Sequence, residues 1–411
     1  MSSDFYDTAR RLRRTRMVKR VQRKALKVAS LALIVIPFSS AFGAELSPKE
    51  ELGKAIFFDT ALSEPAGQAC ASCHVPDAGF SGPASATDGH GGVEPGAVAG
   101  RFANRKAPTI SYAAFSPKFY FDTEDKHFVG GQFWDGRAAT LEDQAQQPFL
   151  NPLEMNNASG KTVCEKVQAA PYADEFPAVF GIDKLNCHDD GKTGFTFIAQ
   201  ALAAYETSTE VNPFSSKFDY VLKGQATFSP MEKRGRDLFD DAKKAACAEC
   251  HPSTGPSPSA PPLFTDFTYD NLGMPANRTN PFYSQDVRYN PAGSAWKDTG
   301  LGGVVNEAEF IGAFKVPTLR NVAKRDASQV RTYGHNGVFT SLEDVVHFYN
   351  TRDVKGALAG GQDWAKPEFP KTMNTEELGN LKLSKEDEQA LVAFLKTLSD
   401  GFDPQIGAYP D

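Results

Sequence analysis

The sequence predicts a mainly α protein made of two similar halves with long irregular loops. Three observations lead there. A stretch beginning at Leu46 returns at Phe228, a Cys-x-x-Cys-His unit follows each copy, and 34 Gly and 27 Pro among 411 residues point to much non-repetitive backbone. The length suits two domains, because single cores stop growing before this size.

The chain starts with ten basic residues between Arg10 and Lys27, followed by the apolar run "VASLALIVIPF" and the small-residue stretch "SSAFGAE". That order predicts a secretory signal peptide over residues 1–43, with cleavage before Ala44, and hence a periplasmic protein. The run is short for a membrane span, so none is expected in the mature chain, with an uncleaved anchor as the alternative. The pairs Arg10-Arg11 and Arg13-Arg14 invite a twin-arginine reading, but the apolar run begins too far downstream for it. Ten basic and two acidic residues precede Ala44, so cleavage takes the net charge from −7 to about −15. Such an acidic chain argues against nucleic acid and leaves a basic protein or a small molecule as partner.

The two copies of the repeat, "LSPKEELGKAIFFD" (Leu46 to Asp59) and "FSPMEKRGRDLFDD" (Phe228 to Asp241), share Ser-Pro-x-Glu-x-x-Gly-x-x-x-Phe. Ser at the N-cap and Pro at the first helical position predict a helix start in each. Helical patterns over Phe195 to Ser208 and Leu383 to Gly401 close the halves, the second with Leu391, Phe394, Leu395 and Leu398 on one face and Gly401 as a stop. Pro, Ser and Gly interrupt the periodicity at residues 212–226, which sets domains of 44–215 and 216–411.

Four of the six cysteines lie in the units "CASCH" (Cys70, Cys73, His74) and "CAECH" (Cys247, Cys250, His251). Two thiolate pairs could build a tetrahedral zinc site, and a lone pair could be a redox dithiol. Neither explains a histidine after both pairs. Cys-x-x-Cys-His is the signature of c-type haem attachment, in which both thiols bond the haem and the adjacent imidazole takes an axial position on the iron. Two units therefore predict two covalently attached haem c and two cytochrome c-like domains. The leftover Cys164 and Cys187 form, most simply, a disulfide worth roughly 3 kcal/mol.

These units and the repeat, together with "GQFWDGRAATLEDQAQQPFLNPLEM" (Gly131 to Met155) and "KVPTLRNVAKRDASQVRTYGHNGVFTSLEDVVHFYN" (Lys315 to Asn350), resemble the bacterial dihaem cytochrome c peroxidase and MauG family. The likeness covers nearly all of the mature chain. The run Gly100 to Ala138 resembles most the MauG-like members of MbnH type, which oxidise a tryptophan on a copper-associated exported protein. The resemblance implies a high-spin, peroxide-reacting haem in the first domain and a low-spin haem in the second. It puts Trp134 between the haems and Gln144, Pro148 and Glu154 on the distal side of the first. Peroxide cleavage needs a group that moves a proton from the near to the far oxygen, and a carboxyl whose pKa is raised by desolvation can do so, which assigns Glu154 as general acid/base. His251 supplies one ligand to the second iron, and the position fourteen residues past His335 supplies the other. Here that position is Tyr349, as in MauG, where peroxidases of the family have Met; Met274 is the rival ligand. A phenolate favours oxidised iron, so the resemblance implies a coupled two-haem high-valent state.

Three departures limit the transfer. Lys106 stands in "RKAP" where the family has an Asn that ligates calcium between the domains; an ammonium does not ligate calcium but can supply positive charge in its place, so calcium is doubtful. Ala245 stands where MauG has the surface tryptophan that draws electrons from its substrate. His90, sixteen residues past His74, is a resting-state ligand, a displaced one or a solvent residue, and that choice stays open. The reading is an exported dihaem oxidoreductase that uses hydrogen peroxide to oxidise aromatic residues, tryptophan first, of an exported partner protein. The alternatives are a cytochrome c peroxidase fed by a small electron-transfer cytochrome, and an electron-transfer protein without catalysis.

Overall fold

The two copies of the repeat each open a helix, α1 (Pro48–Phe58) and, later in the chain, Pro230–Asp240. Ser47 and Ser229 accept from the amides of Glu50 and Glu232, whose carboxylates accept in return from the serine amides, a reciprocal cap at both starts. Between these two lie α2 (Leu141–Leu150), α3 (Gly160–Gln168), α4 (Lys192–Thr207) and α5 (Lys217–Leu222). The second copy is α6, and α7 (Leu342–Thr351) and α8 (Lys385–Lys396) follow it. The structure is a computed structural model that describes residues 45–83, 92–257, 260–324 and 332–409. The expected signal peptide and His90 lie outside the described residues.

Strands among the described residues amount to two short ladders, Tyr120–Asp122 with His127–Val129 and Tyr269–Asp270 antiparallel to Phe314–Lys315. Between the strands of the first ladder the chain turns where Asp122 Oδ1 accepts from the amides of Glu124 and Asp125. The remaining chain is mostly loop, as its glycine and proline content implies.

Two apolar clusters hold the long loops. One draws on residues from Leu52 to Val211, with Phe57, Ile198, Leu202 and Tyr205 at its centre; the other runs from Phe218 to Leu398 around Phe239, Phe264, Phe348 and Phe394. The repeat explains itself here. Its Phe is the core residue (Phe57, Phe239), and its Gly lets two helices cross closely: a Cβ on Gly53 would strike the Ala201 carbonyl oxygen of α4, and one on Gly235 the Ala390 carbonyl oxygen of α8. Cys164 of α3 and Cys187 are joined as a disulfide with Cα atoms 5.6 Å apart, inside the first cluster.

Two local expectations differ from what is observed. The stretch 212–226 contains α5, a helix too short to show periodicity, capped by Ser216 and tied down by Asp219, which receives both Nη atoms of the fully buried Arg320. Helix α8 ends at Lys396, five residues before Gly401, because the carbonyls of Thr397 and Leu398 accept from the Phe218 and Asn321 amides and so leave the helical ladder.

Replacing Gly235 with alanine tests the close crossing. Alanine is the better helix former by about 1 kcal/mol, yet overpacking a tight contact costs about 1–3 kcal/mol. The expected outcome is a lower denaturant midpoint for Gly235→Ala; a higher one would show that the contact has slack.

Candidate functional site

Each Cys-x-x-Cys-His unit folds into a single turn. The His74 amide donates to the Cys70 carbonyl and the His251 amide to the Cys247 carbonyl, both at 2.9 Å, which gathers two thiols and an imidazole at one spot. Each spot opens on its own cavity. Cys70, Cys73 and His74 line the first; Cys247, Cys250 and His251 line the second. Leu, Val and Phe side chains such as Leu272, Val322, Val346, Leu378 and Leu391 wall much of the second. Burial pushes both imidazoles down to about 4 and the Cys70 and Cys247 thiols up to about 12, so the histidines are neutral and the thiols protonated. The imidazoles are oriented by main-chain carbonyls, His74 Nδ1 by Phe80 at 3.2 Å and His251 Nδ1 by Phe264 at 2.8 Å. The two cysteine pairs line different cavities, which speaks against a zinc site built from all four.

Helix α2 shapes the first cavity. Leu141, Gln144, Ala145, Pro148 and Phe149 line it, the spacing of one helical face. Pro148 has no N–H for the Gln144 carbonyl, so the ladder weakens just before the helix ends at Leu150. The following turn returns the chain: the Glu154 amide donates to Asn151 O and the Met155 amide to Pro148 O. Glu154 thereby reaches the same cavity, and burial raises its pKa while Arg137 and a hydrogen bond from Asn151 oppose the rise. The structure thus brings together Gln144, Pro148, Glu154 and the first Cys-x-x-Cys-His unit.

Trp134 lines both cavities. Its indole Nε1 donates to the Lys106 carbonyl at 2.8 Å, and its own carbonyl accepts from the Lys315 amide at 2.8 Å. Beside it stands His335, 4% exposed, with its ring stacked on Phe314 at 3.6 Å and edge-on to Trp134 at 6.5 Å. Arg105 binds Asp298 with two nitrogens and Asp135 with a third, each at 2.6 Å, a buried ionic clamp next to the same ring stack.

Tyr349, on α7, lines the second cavity, as does Met274. Burial and then the Cys250 and Cys247 sulfurs raise the Tyr349 pKa. The Met274 thioether packs against Gly334. Ala245, at the position of MauG's surface tryptophan, is buried.

The curated relatives and solved structures agree on what such a pair of cavities belongs to. A family model described as di-haem cytochrome c peroxidase matches residues 47–227. The chain is 37% identical over 390 residues to the methylamine utilization protein MauG of Paracoccus denitrificans, covering 91% of this chain and 96% of that one. It belongs to the dihaem cytochrome c peroxidase and MauG family. It is also 30% identical over 354 residues to the cytochrome c551 peroxidase of Nitrosomonas europaea, covering 85% of this chain and 79% of that one. The crystal structure of the dihaem peroxidase BthA from Burkholderia thailandensis superposes with a TM-score of 0.75 at 32% identity, over 89% of this chain and 91% of that one. Members of this family are haem-dependent oxidoreductases that act with hydrogen peroxide, and so is this chain. The residues fit the two haems the family carries: each cavity offers two protonated thiols one turn apart and one neutral imidazole held by a carbonyl.

Glu206 was not singled out in the sequence, although its place on the buried stripe of α4, four residues past Leu202, is the signal that could have found it. It lines the first cavity, 5% exposed, with Oε2 lacking a partner. Burial, and then Glu142, push its pKa up to about 8. An acid raised from about 4.5 to about 8 stays protonated in the folded protein while the unfolded chain ionises, so stability falls as pH rises through that window. Glu206→Gln removes the ionisation. Its thermal midpoint relative to the parent protein is expected to climb between pH 5 and pH 8 in parallel melts; a flat difference would mean the carboxyl is solvated.

Proposed function

We propose that the chain is an exported, periplasmic enzyme that uses hydrogen peroxide to oxidise aromatic residues, tryptophan first, of a partner protein. Cys70 and Cys73, and Cys247 and Cys250, would attach two haem c covalently, with His74 holding the first iron and His251 and Tyr349 the second. Each haem sits in a cytochrome c-like domain, residues 44–215 and 216–411. When bound, the haems supply the irons that take up peroxide and hold the electrons drawn from the partner.

The observation that carries this reading is the phenol of Tyr349 in the second cavity, with Trp134 in the wall of both cavities and Glu154 in the first. The Glu154 carboxyl, raised by burial, takes the proton from the near oxygen of peroxide and returns it to the far one, which leaves as water. Gln144 orients the peroxide, and Pro148 keeps that face of α2 apolar. Trp134, held by the Lys106 carbonyl, links the cavities for electrons. Two electrons leave the partner for each peroxide reduced to water. Similarity to MauG supports a protein substrate, while the buried Ala245 means that electrons enter by another surface route.

A second reading, a cytochrome c peroxidase fed by a small cytochrome, is favoured by Met274 in the second cavity and by the similarity to the Nitrosomonas cytochrome c551 peroxidase. Electron paramagnetic resonance of the ferric holoprotein separates the two. One equivalent of peroxide is expected to abolish a high-spin and a low-spin signal together without pre-reduction, whereas a need for pre-reduction supports the second reading. Glu154→Gln is expected to slow this reaction by about 10²–10⁴-fold with both haems still attached. An unchanged rate would remove Glu154 from the chemistry.

A further inference from the structure

Lys106 is 4% exposed in the wall of the first cavity. Its ammonium donates to the Gly82 carbonyl at 2.8 Å and lies 3.8 Å from Glu94 Oε1; Glu94 Oε2 in turn accepts from the Ala107 amide at 2.8 Å. Gly82 has no room for a side chain, since a Cβ there would meet the Glu94 carboxylate and the Lys106 ammonium. The main chain of the same residue faces the other way: its amide donates to the His335 carbonyl at 2.9 Å and its carbonyl accepts from Trp134 Nε1 at 2.8 Å. One lysine thus gathers Gly82, Glu94, Trp134 and His335.

A buried carboxylate beside a main-chain carbonyl is an oxygen cradle of the kind that holds a hard cation. Here the ammonium already lies within it, and the residues therefore do not fit a calcium ion at this point. We infer that Lys106 is a positioning residue: its tethered ammonium does the work of a dissociable cation, fixing the cradle on one side and the indole shared by the two cavities on the other. A buried carboxylate stays charged only beside a compensating cation, and a tethered one cannot be lost by dilution or chelation. The inference rests on the reading of Trp134 as the electronic link only for its kinetic consequence; the structural consequence stands apart from it.

The test uses the holoprotein. As purified, it is expected to contain no stoichiometric calcium, and its melting temperature is expected not to move in excess EGTA. Lys106→Met is expected to melt lower, and millimolar calcium chloride is expected to recover part of the loss in this variant and none in the parent protein. Lys106→Arg keeps the charge and is expected to melt closer to the parent. In the resonance experiment, loss of the low-spin signal after peroxide is expected to slow by about tenfold or more in Lys106→Met, because small displacements of a linking group are costly. An EGTA-sensitive parent protein, or a methionine variant with unchanged melting and unchanged signal loss, would overturn the inference. Should Lys106→Met not fold, the calcium content and EGTA response of the parent still decide it. A parent protein whose two signals do not respond together overturns the function proposed above and leaves the metal and melting results to judge Lys106.

Discussion

The hydrogen bond from the Trp134 indole to the Lys106 carbonyl is the contact on which the two cavities depend as a pair. Each cavity is assembled by its own half of the chain, from a one-turn Cys-x-x-Cys-His unit and an apolar wall. Among the described residues only Trp134 belongs to both walls. Its direction is set by a carbonyl acceptor at the tip and by the Lys315 amide on its own backbone. Around it the charges are paired at close range, Lys106 with Glu94 and Arg105 with Asp298 and Asp135. Paired charges in a buried region hold geometry in place, because breaking one leaves its partner uncompensated.

The rest of the fold follows from how little regular structure the chain has. Two helix crossings, α1 with α4 and α6 with α8, give each half a stiff base, and a glycine at each crossing lets the backbones approach. Long loops are then tied to that base by buried polar groups. Arg320 binds Asp219 and the Pro262 carbonyl, Tyr112 donates to Asp400, and Asn321 also donates to Asp400. Buried polar groups satisfied in this way specify one arrangement for segments with no ladder of their own.

Charged groups reach both cavities. Three carboxyls, Glu94, Glu154 and Glu206, reach the first, with Lys106 and Arg137 against them. The second also has three carboxyls in its wall, Asp270, Glu368 and Glu377, with Lys315 against them, set among many aliphatic and aromatic groups, a phenol and a thioether. Proton movement needs acids whose pKa values lie near neutrality, and burial raises two of the first cavity's three carboxyls in that direction.

Local patterns sufficed wherever covalent spacing or helical period carries the information. The Cys-x-x-Cys-His turns, the serine caps at residues 47 and 229, the buried stripe of Leu391, Phe394 and Leu395, and the meeting of Gln144 with Pro148 on one face of α2 were legible because all are set within a turn or two of chain. The return of Glu154 to the α2 face rests on the same short range. Other features depend on segments far apart in sequence and had no local signature. These include α5 inside an apparent linker, the end of α8 before Gly401, and Lys106 between Glu94 on one side and Trp134 and His335 on the other. Short-range order is decided by the backbone's own sterics and hydrogen bonds, whereas burial and charge pairing are decided by whatever the folded chain brings alongside, and that only the tertiary structure determines.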